Sequence, residues 1–118
     1  MDNSTTIDDL KKKVRKFCED RDWDQFHNAK DLAIGIITES SELLEHFRFK
    51  TNEEVEQFFK NPKKKNEISE ELADIVFFVL RLAQRYNIDV SSALEKKIIK
   101  NGKNYPLEIS KGLIKKIQ

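Results

Sequence analysis

Glycine and proline are scarce in this chain, and that scarcity constrains the fold more than any other feature. Only three Gly and two Pro occur in 118 residues, and no β-branched run alternates between apolar and polar positions. Because Gly and Pro are the residues that most often interrupt regular structure, helix is expected almost throughout. We therefore predict an all-α fold.

Apolar spacing and capping residues divide the chain into four long helices and one short one. Their predicted ranges are approximately residues 6–20, 29–48, 52–60, 65–86 and 89–101. Thr5 or Thr6 can cap the first helix, and Asp8 lies three residues after Thr5, as a capping box requires. Pro62 is expected to end the short helix. Gly102 is a natural residue to follow the last long helix.

The third long helix is apolar on almost every face. Between Leu72 and Ala83 only Asp74 and Arg81 interrupt the apolar run. Such a helix must be buried on several sides, and a chain of this length has few other elements to cover it. We therefore predict at least a dimer that packs through this helix.

Charge and composition argue against a nucleic-acid or membrane partner and favour a reducing compartment. The 22 basic and 21 acidic residues give a net charge of +1, which provides no general attraction for nucleic acid or an anionic membrane. The apolar stretch from Ile75 to Leu80 is too short to span a bilayer, and the first residues show no signal-peptide pattern. The single cysteine, Cys18, fits a reducing compartment and a packing role. We expect a cytoplasmic protein.

The length of the chain is typical of one domain. We place that domain at residues 1–106 and predict a basic, loosely helical tail at residues 107–118. The tail has apolar residues at helical spacing, but Gly112 interrupts them.

Two pairs of acidic residues stand at matching positions on two of the predicted helices. The second helix carries Glu39 and Glu42, and the third carries Glu71 and Asp74. Residues three apart on a helix are neighbours, with Cβ atoms about 5–6 Å apart, so each pair can direct two carboxylates at one point. If the helices pack antiparallel, as the short segment between them permits, the four carboxylates converge.

The apolar surroundings of these acids indicate that they bind a cation. Acidic pairs usually lie on the solvated surface, but Asp74 is followed by Phe77 and Phe78, and Glu39 lies one turn from Ile36. Burying an ionised carboxylate there is costly unless a partner compensates the charge. Carboxylate ligands without Cys or His select Mg²⁺ or Mn²⁺ over zinc. A Mg²⁺ site is therefore favoured over a structural acidic cluster, which remains the alternative.

A di-iron centre is another carboxylate site found in helical bundles. It requires Glu-x-x-His on two helices, and here Glu42 and Asp74 occupy the histidine positions. His27 and His46 are not spaced to replace them, so this interpretation is set aside. His46 is expected to be exposed, and Lys63–Lys65 to form a solvated loop.

The acidic pattern, ESSELLE followed by EELADIVFF, resembles the all-α nucleoside triphosphate pyrophosphohydrolases of the MazG-like superfamily. The likeness is greatest to the dCTP pyrophosphatase branch. It is carried by RDWDQFHNAKDL before the first acidic pair, by HFRFK after it, and by the run from Lys97 through Asn101 to Tyr105 and Pro106. The resemblance covers roughly residues 10 to 106.

This resemblance implies a four-helix core, assembled as a homodimer or homotetramer, that cleaves a (deoxy)nucleoside triphosphate to the monophosphate and pyrophosphate. It implies that the four acids hold Mg²⁺ and that Trp23 helps to hold the base. The second base-stacking position falls on Phe49, where that branch usually has Trp. A further contact, commonly Tyr, falls on Phe78. These two differences concern the base preference and leave the metal ligands intact.

Further residues are candidates for the chemistry and for substrate contacts. Glu39 or Glu42 is expected to orient the attacking water, ahead of Glu45 and Glu70. Lys97 and Asn101 are predicted phosphate contacts, with a solvated basic face as the alternative. For Lys100 and Lys103 a phosphate contact and a solvated face are equally expected. The remaining candidates for substrate binding are Arg85 and His27, and His27 is equally expected as an ordinary residue at a helix start.

Two other functions remain possible from the sequence. The bundle could be a non-catalytic module that binds a nucleotide or a protein partner and keeps a metal for structure. Within enzymes, hydrolysis of dUTP or phosphoribosyl-ATP is the alternative, although neither fits RDWDQFH as well.

Overall fold

The computed structural model describes residues 1–112 and is helical wherever it has regular structure. The helices are α1 (Ile7–Asp20), α2 (Ala29–Glu45), α3 (Asn52–Phe58), α4 (Pro62–Arg85), α5 (Val90–Asn104) and α6 (Leu107–Ser110). Within the described residues there is no strand, so the all-α prediction is confirmed. None of the helices in this range is both long and apolar enough for a membrane crossing.

Side-chain caps define where the helices begin, and they correct some predicted ends. The capping box of α1 is formed by Thr6 and Asp9 rather than Thr5 and Asp8. Pro62 does not end α3 but begins α4, because its missing N–H costs nothing in the first turn. Gly102 lies inside α5, which continues to Asn104.

The first compact unit spans Met1–Tyr86, and the second begins at Asn87. In the first unit α2 and α4 form the main packed pair, and α1 packs on α4. Its small core consists of five buried apolar side chains: Cys18, Leu32, Ile68, Leu80 and Ala83. Burial raises the pKa of the Cys18 thiol, which suits a packing role rather than a nucleophile.

Helices α2 and α4 run antiparallel. His27, just before α2, accepts a hydrogen bond from Arg81 near the end of α4. Nδ1 of His46, just after α2, lies 2.9 Å from Nζ of Lys64, near the start of α4. The middle of α2 therefore faces the middle of α4, where the two acidic pairs lie.

Much of the apolar surface of this helix pair is uncovered in the single chain. The exposed apolar side chains on α2 and α4 are Ile34, Ile37, Leu44, Leu72 and Val76. The expectation that this chain alone cannot cover its apolar helix agrees with that exposure.

The second unit contains α5 and the short α6. Three apolar side chains of α5, Leu94, Ile98 and Ile99, are more than half exposed. Helix α6 (Leu107–Ser110) lies within the predicted tail, of which residues 113–118 lie outside the described residues, so the helical tail stays a prediction.

Candidate active site

Three of the four predicted metal ligands converge between α2 and α4. Glu39 and Glu42 from α2 and Glu71 from α4 each offer one carboxylate oxygen, and these oxygens lie within 4.8 Å of one another. Glu39 and Glu71 are half-buried, and Glu42 is exposed. The helical spacing of three in α2 and the antiparallel packing produce this convergence.

Two oxygens of this acidic cluster are buried without any hydrogen-bond partner. They are Oε2 of Glu39 and Oε2 of Glu71. The pKa of Glu39 is raised to about 7 by burial and, to a smaller extent, by a hydrogen bond to Glu42 and charge repulsion from it. Unpaired buried carboxylate oxygens are costly, so a bound cation would stabilise this arrangement. An all-oxygen set of this kind fits a hard divalent ion.

Asp74 differs from its prediction. It is exposed rather than buried, because it lies in the wall of an open cavity. It lies outside the three-residue cluster. Its charge nevertheless contributes to the raised pKa of Glu39, so the two carboxylates are electrostatically linked. Its role as fourth metal ligand stays a prediction.

An open cavity of about 530 Å³ lies beside the acidic cluster. Its wall combines carboxylates, aromatic rings and one lysine: Lys13, Val14, Phe17, Trp23, Glu39, Asp74, Phe77 and Phe78. Phe17 makes edge-to-face contacts with Trp23 at 5.6 Å and with Phe77 at 5.9 Å between ring centroids. The predicted base-contacting residues Trp23 and Phe78 thus line the same cavity as two predicted metal ligands.

The connector between α1 and α2, residues 21–28, is tied to the end of α4 by a buried arginine. Arg81 has no exposed surface and donates hydrogen bonds to Asp24, to Nδ1 of His27 at 2.9 Å and to Gln84 at 2.6 Å. The guanidinium cannot accept a hydrogen bond, so His27 carries its proton on Nε2. Burial, and then the positive charge of Arg81, lower the pKa of His27.

Arg85 also braces this connector. It donates to the backbone carbonyls of His27 at 3.4 Å and Asp24 at 3.3 Å and approaches the Asp24 carboxylate at 3.8 Å. These contacts hold the polypeptide that carries Trp23. A direct contact between Arg85 and substrate stays a prediction.

Phe49, Lys97 and Asn101 are the remaining predicted substrate contacts. Phe49 is 90% exposed, has a positive φ of 62° and contacts the guanidinium of Arg48, which lies 4.6 Å from the ring centroid. Lys97 and Asn101 lie one turn apart on α5, in the second unit. Their contacts with a nucleotide stay predictions.

The structure adds residues that the sequence interpretation missed. His46 is half-buried rather than exposed, and Lys64 belongs to the first turn of α4 rather than to a solvated loop. The signal was present, because His46 lies seven residues after Glu39 and Lys64 seven before Glu71, which places each on the same helix face as that acid. Lys13, in the cavity wall, had no comparable signal.

An antiparallel helix pair with unpaired buried carboxylates beside an aromatic cavity defines the class: an all-α protein with a candidate metal and ligand site. The chain belongs to the MazG-like family, whose sequence model matches residues 34–118.

Individual relatives resemble most of the chain. Bovine dCTP pyrophosphatase 1 is 33% identical over 107 residues, which cover 91% of this chain and 63% of the relative. Human dCTP pyrophosphatase 1 is 30% identical over 111 residues, covering 94% and 65%. The chain thus spans slightly less than two thirds of the length of these relatives. The fold also matches the crystal structure of a pyrophosphatase from Archaeoglobus fulgidus, with a TM-score of 0.78 and 32% sequence identity. The match covers 84% of this chain and 91% of the archaeal one.

Proposed function

We propose that this protein is a Mg²⁺-dependent nucleoside triphosphate pyrophosphohydrolase, which converts a (deoxy)nucleoside triphosphate to the monophosphate and pyrophosphate. The observation that carries the proposal is the shared cavity, in which Trp23 faces the same space as Glu39 and Asp74. An aromatic ring can stack on a base, while acids that hold a dication can receive a triphosphate. The names of the mammalian relatives support dCTP, or a modified dCTP, as the substrate.

The residues that would hold the ion are Glu39, Glu42, Glu71 and Asp74. Mg²⁺, or Mn²⁺ in its place, neutralises phosphate charge and polarises the bond between the α and β phosphates when it is bound. Three of the four acids are already grouped within 4.8 Å, and two of them have unpaired buried oxygens.

The protein's own side chains supply orientation and charge. Glu39 or Glu42 would accept a hydrogen bond from the attacking water and orient it in line. Trp23 would stack on the base, with its position fixed by the bracing of the connector through Arg81. Lys13 is the basic side chain in the cavity wall and would attract the phosphates.

We also propose a homodimer or homotetramer in the cytoplasm, with Lys97 and Asn101 reaching the phosphates of a neighbouring subunit's site. The uncovered apolar side chains of α2 and α4 support the assembly. The lone Cys18, which is buried, supports a reducing compartment.

The proposal is tested by measuring pyrophosphate release from a panel of nucleoside triphosphates, with dUTP, modified dCTP and phosphoribosyl-ATP included, with and without Mg²⁺. We expect Mg²⁺-dependent release that is fastest with dCTP or a modified dCTP, with the monophosphate as the second product. Trp23→Leu should raise KM for that substrate more than Phe26→Leu does, because Phe26 is an exposed aromatic of the same connector outside the cavity wall. A protein that binds nucleotides without hydrolysing them would be a binding module, and the proposal would be wrong.

A further inference from the structure

The Glu71 carboxylate has two different surroundings at its two oxygens. Oε1 faces Nε2 of His46 at 3.6 Å, whereas Oε2 is buried without a hydrogen-bond partner. The side chains of His46 and Glu71 are only 16% and 21% exposed, so water screens this contact little. Oε1 thus lies against the His46 ring, and Oε2 is available for a different partner.

His46 is held in turn by Lys64. The Lys64 Nζ lies 2.9 Å from Nδ1 of His46. Lys64 itself is positioned over the ring of Phe58, at 5.0 Å from the centroid, and lies 3.9 Å from Glu67. Contacts from α3 and α4 therefore converge on the lysine, and the lysine contacts the histidine at the end of α2.

The chemistry of the lysine fixes the tautomer of the histidine. An ammonium group has three donors and no acceptor, so Nδ1 of His46 must be the acceptor in this hydrogen bond. In the neutral ring the proton is then on Nε2, and this N–H faces the Glu71 carboxylate. A protonated Nε2 has no free lone pair, so His46 cannot be a metal ligand in this arrangement.

We propose that His46 is a positioning residue for the metal centre. Lys64 orients the ring, the Nε2–H of His46 attracts Oε1 of Glu71 across 3.6 Å, and Oε2 is thereby directed toward the divalent ion. Outer partners of this kind orient metal ligands in many proteins. The inference rests on the metal site of the proposed function, and it assigns to His46 and Lys64 a role outside the four carboxylates.

Metal affinity provides the first test. Mn²⁺ binding is measured by the electron paramagnetic resonance signal of the free ion, on the full chain without nucleotide. His46→Leu should weaken binding by about 10- to 100-fold. His46→Gln, which retains an amide donor, should recover part of that loss. Lys64→Met should weaken Mn²⁺ binding, whereas Lys63→Met, which removes the same charge from an exposed neighbouring position, should not.

The tautomer provides a readout that a merely structural role would not change. The chain has two histidines, so long-range ¹H–¹⁵N correlation spectra can assign both rings. His46 should carry its proton on Nε2 in the wild-type protein, and the ¹⁵N resonance of Nδ1 should shift in Lys64→Met, because Nδ1 loses its hydrogen-bond donor. Circular dichroism checks that each variant is folded. If His46→Leu unfolds, the Mn²⁺ affinity of His46→Gln and the wild-type nitrogen spectrum test the role of His46 instead.

The outcomes separate this inference from the proposed function. If the wild-type protein binds no Mn²⁺, or if Glu71→Gln binds it as well as wild type, the metal site itself is wrong and the inference falls with it. If wild type binds Mn²⁺ and folded His46 variants bind it equally well, only the role of His46 is wrong. A proton on Nδ1 of His46 in the wild-type protein would also overturn the inference.

Discussion

Arg81 shows how one buried charge determines the position of a whole connector. A guanidinium without exposed surface is costly unless its donors are satisfied, and here Asp24, His27 and Gln84 satisfy them. Because two of these partners lie in residues 21–28, the connector cannot move away from α4 without leaving the charge unpaired. Trp23, which directly precedes Asp24, is therefore held at the cavity wall although the connector has no regular structure.

The Glu39 carboxylate predicts how the stability of the metal-free protein depends on pH. Its pKa is raised from 4.5 to about 7 in the folded protein, so between these values the folded state binds a proton that the unfolded state lacks. The contribution of Glu39 to the free energy of unfolding should therefore fall as pH rises from 4.5 to 7, whereas His27, whose pKa is lowered, contributes the opposite slope. The measurement is Tm against pH in the presence of a chelator.

Glu39→Gln removes this titration and should flatten that part of the profile, whereas Glu56→Gln, at an exposed position on α3, should leave it unchanged. Saturating Mg²⁺ should also remove the decline, because the ion binds the ionised form. Wild-type and Glu39→Gln profiles of the same slope across this interval, without metal, would contradict the raised pKa of Glu39.

At the scale of helices, Gly35 sets the close approach of α2 to α4. A Cβ at this position would lie 2.7 Å from the Phe78 ring, so Gly35→Ala must displace a side chain of the cavity wall. We expect a destabilisation of about 1–3 kcal/mol from overpacking, partly offset by the better helix propensity of Ala. Urea denaturation measures the stability, and KM for the preferred nucleotide should rise as well.

Gly102→Ala is the matched control for that substitution. Gly102 also lies within a helix, but among the described residues nothing lies within 4 Å of its Cβ position. Ala should therefore stabilise α5 by up to about 1 kcal/mol. Equal effects of the two substitutions would show that Phe78 does not pack against Gly35 in solution.

The sequence predicts helices well but predicts contacts between them only in part. Few Gly and Pro, together with clear caps, were sufficient for the order of the five main helices but not for every helix end. Spacing and antiparallel packing were sufficient to group Glu39, Glu42 and Glu71. The sequence could not reveal that Asp74 is exposed, because the exposure of a residue on α4 depends on which other elements cover that helix. The contact of His46 with Lys64 was also missed, since charged residues near helix ends are usually solvated.

At the scale of the whole molecule, the first unit has more apolar surface than it can bury. Its five buried apolar residues form a small core, while three apolar side chains of α2 are at least half exposed: Ile34, Ile37 and Leu44. Their spacing places these side chains on one side of α2, and an exposed apolar face of this kind marks an interaction site. A second copy of the chain is the partner we propose, because the same surface on each subunit can pair about a two-fold axis.

Ile37→Glu tests that assembly. Ile37 is 70% exposed in the single chain, so a charge there costs little in an isolated subunit but would be buried, unpaired, in a dimer interface. We expect the variant to remain helical and to sediment as a monomer at concentrations where the wild type is a dimer or tetramer. Phe26→Glu places the same charge on a side chain 61% exposed, outside α2 and α4, and should leave the assembly intact. A wild-type protein that sediments as a monomer would show that the exposed face of α2 does not pair with a second copy.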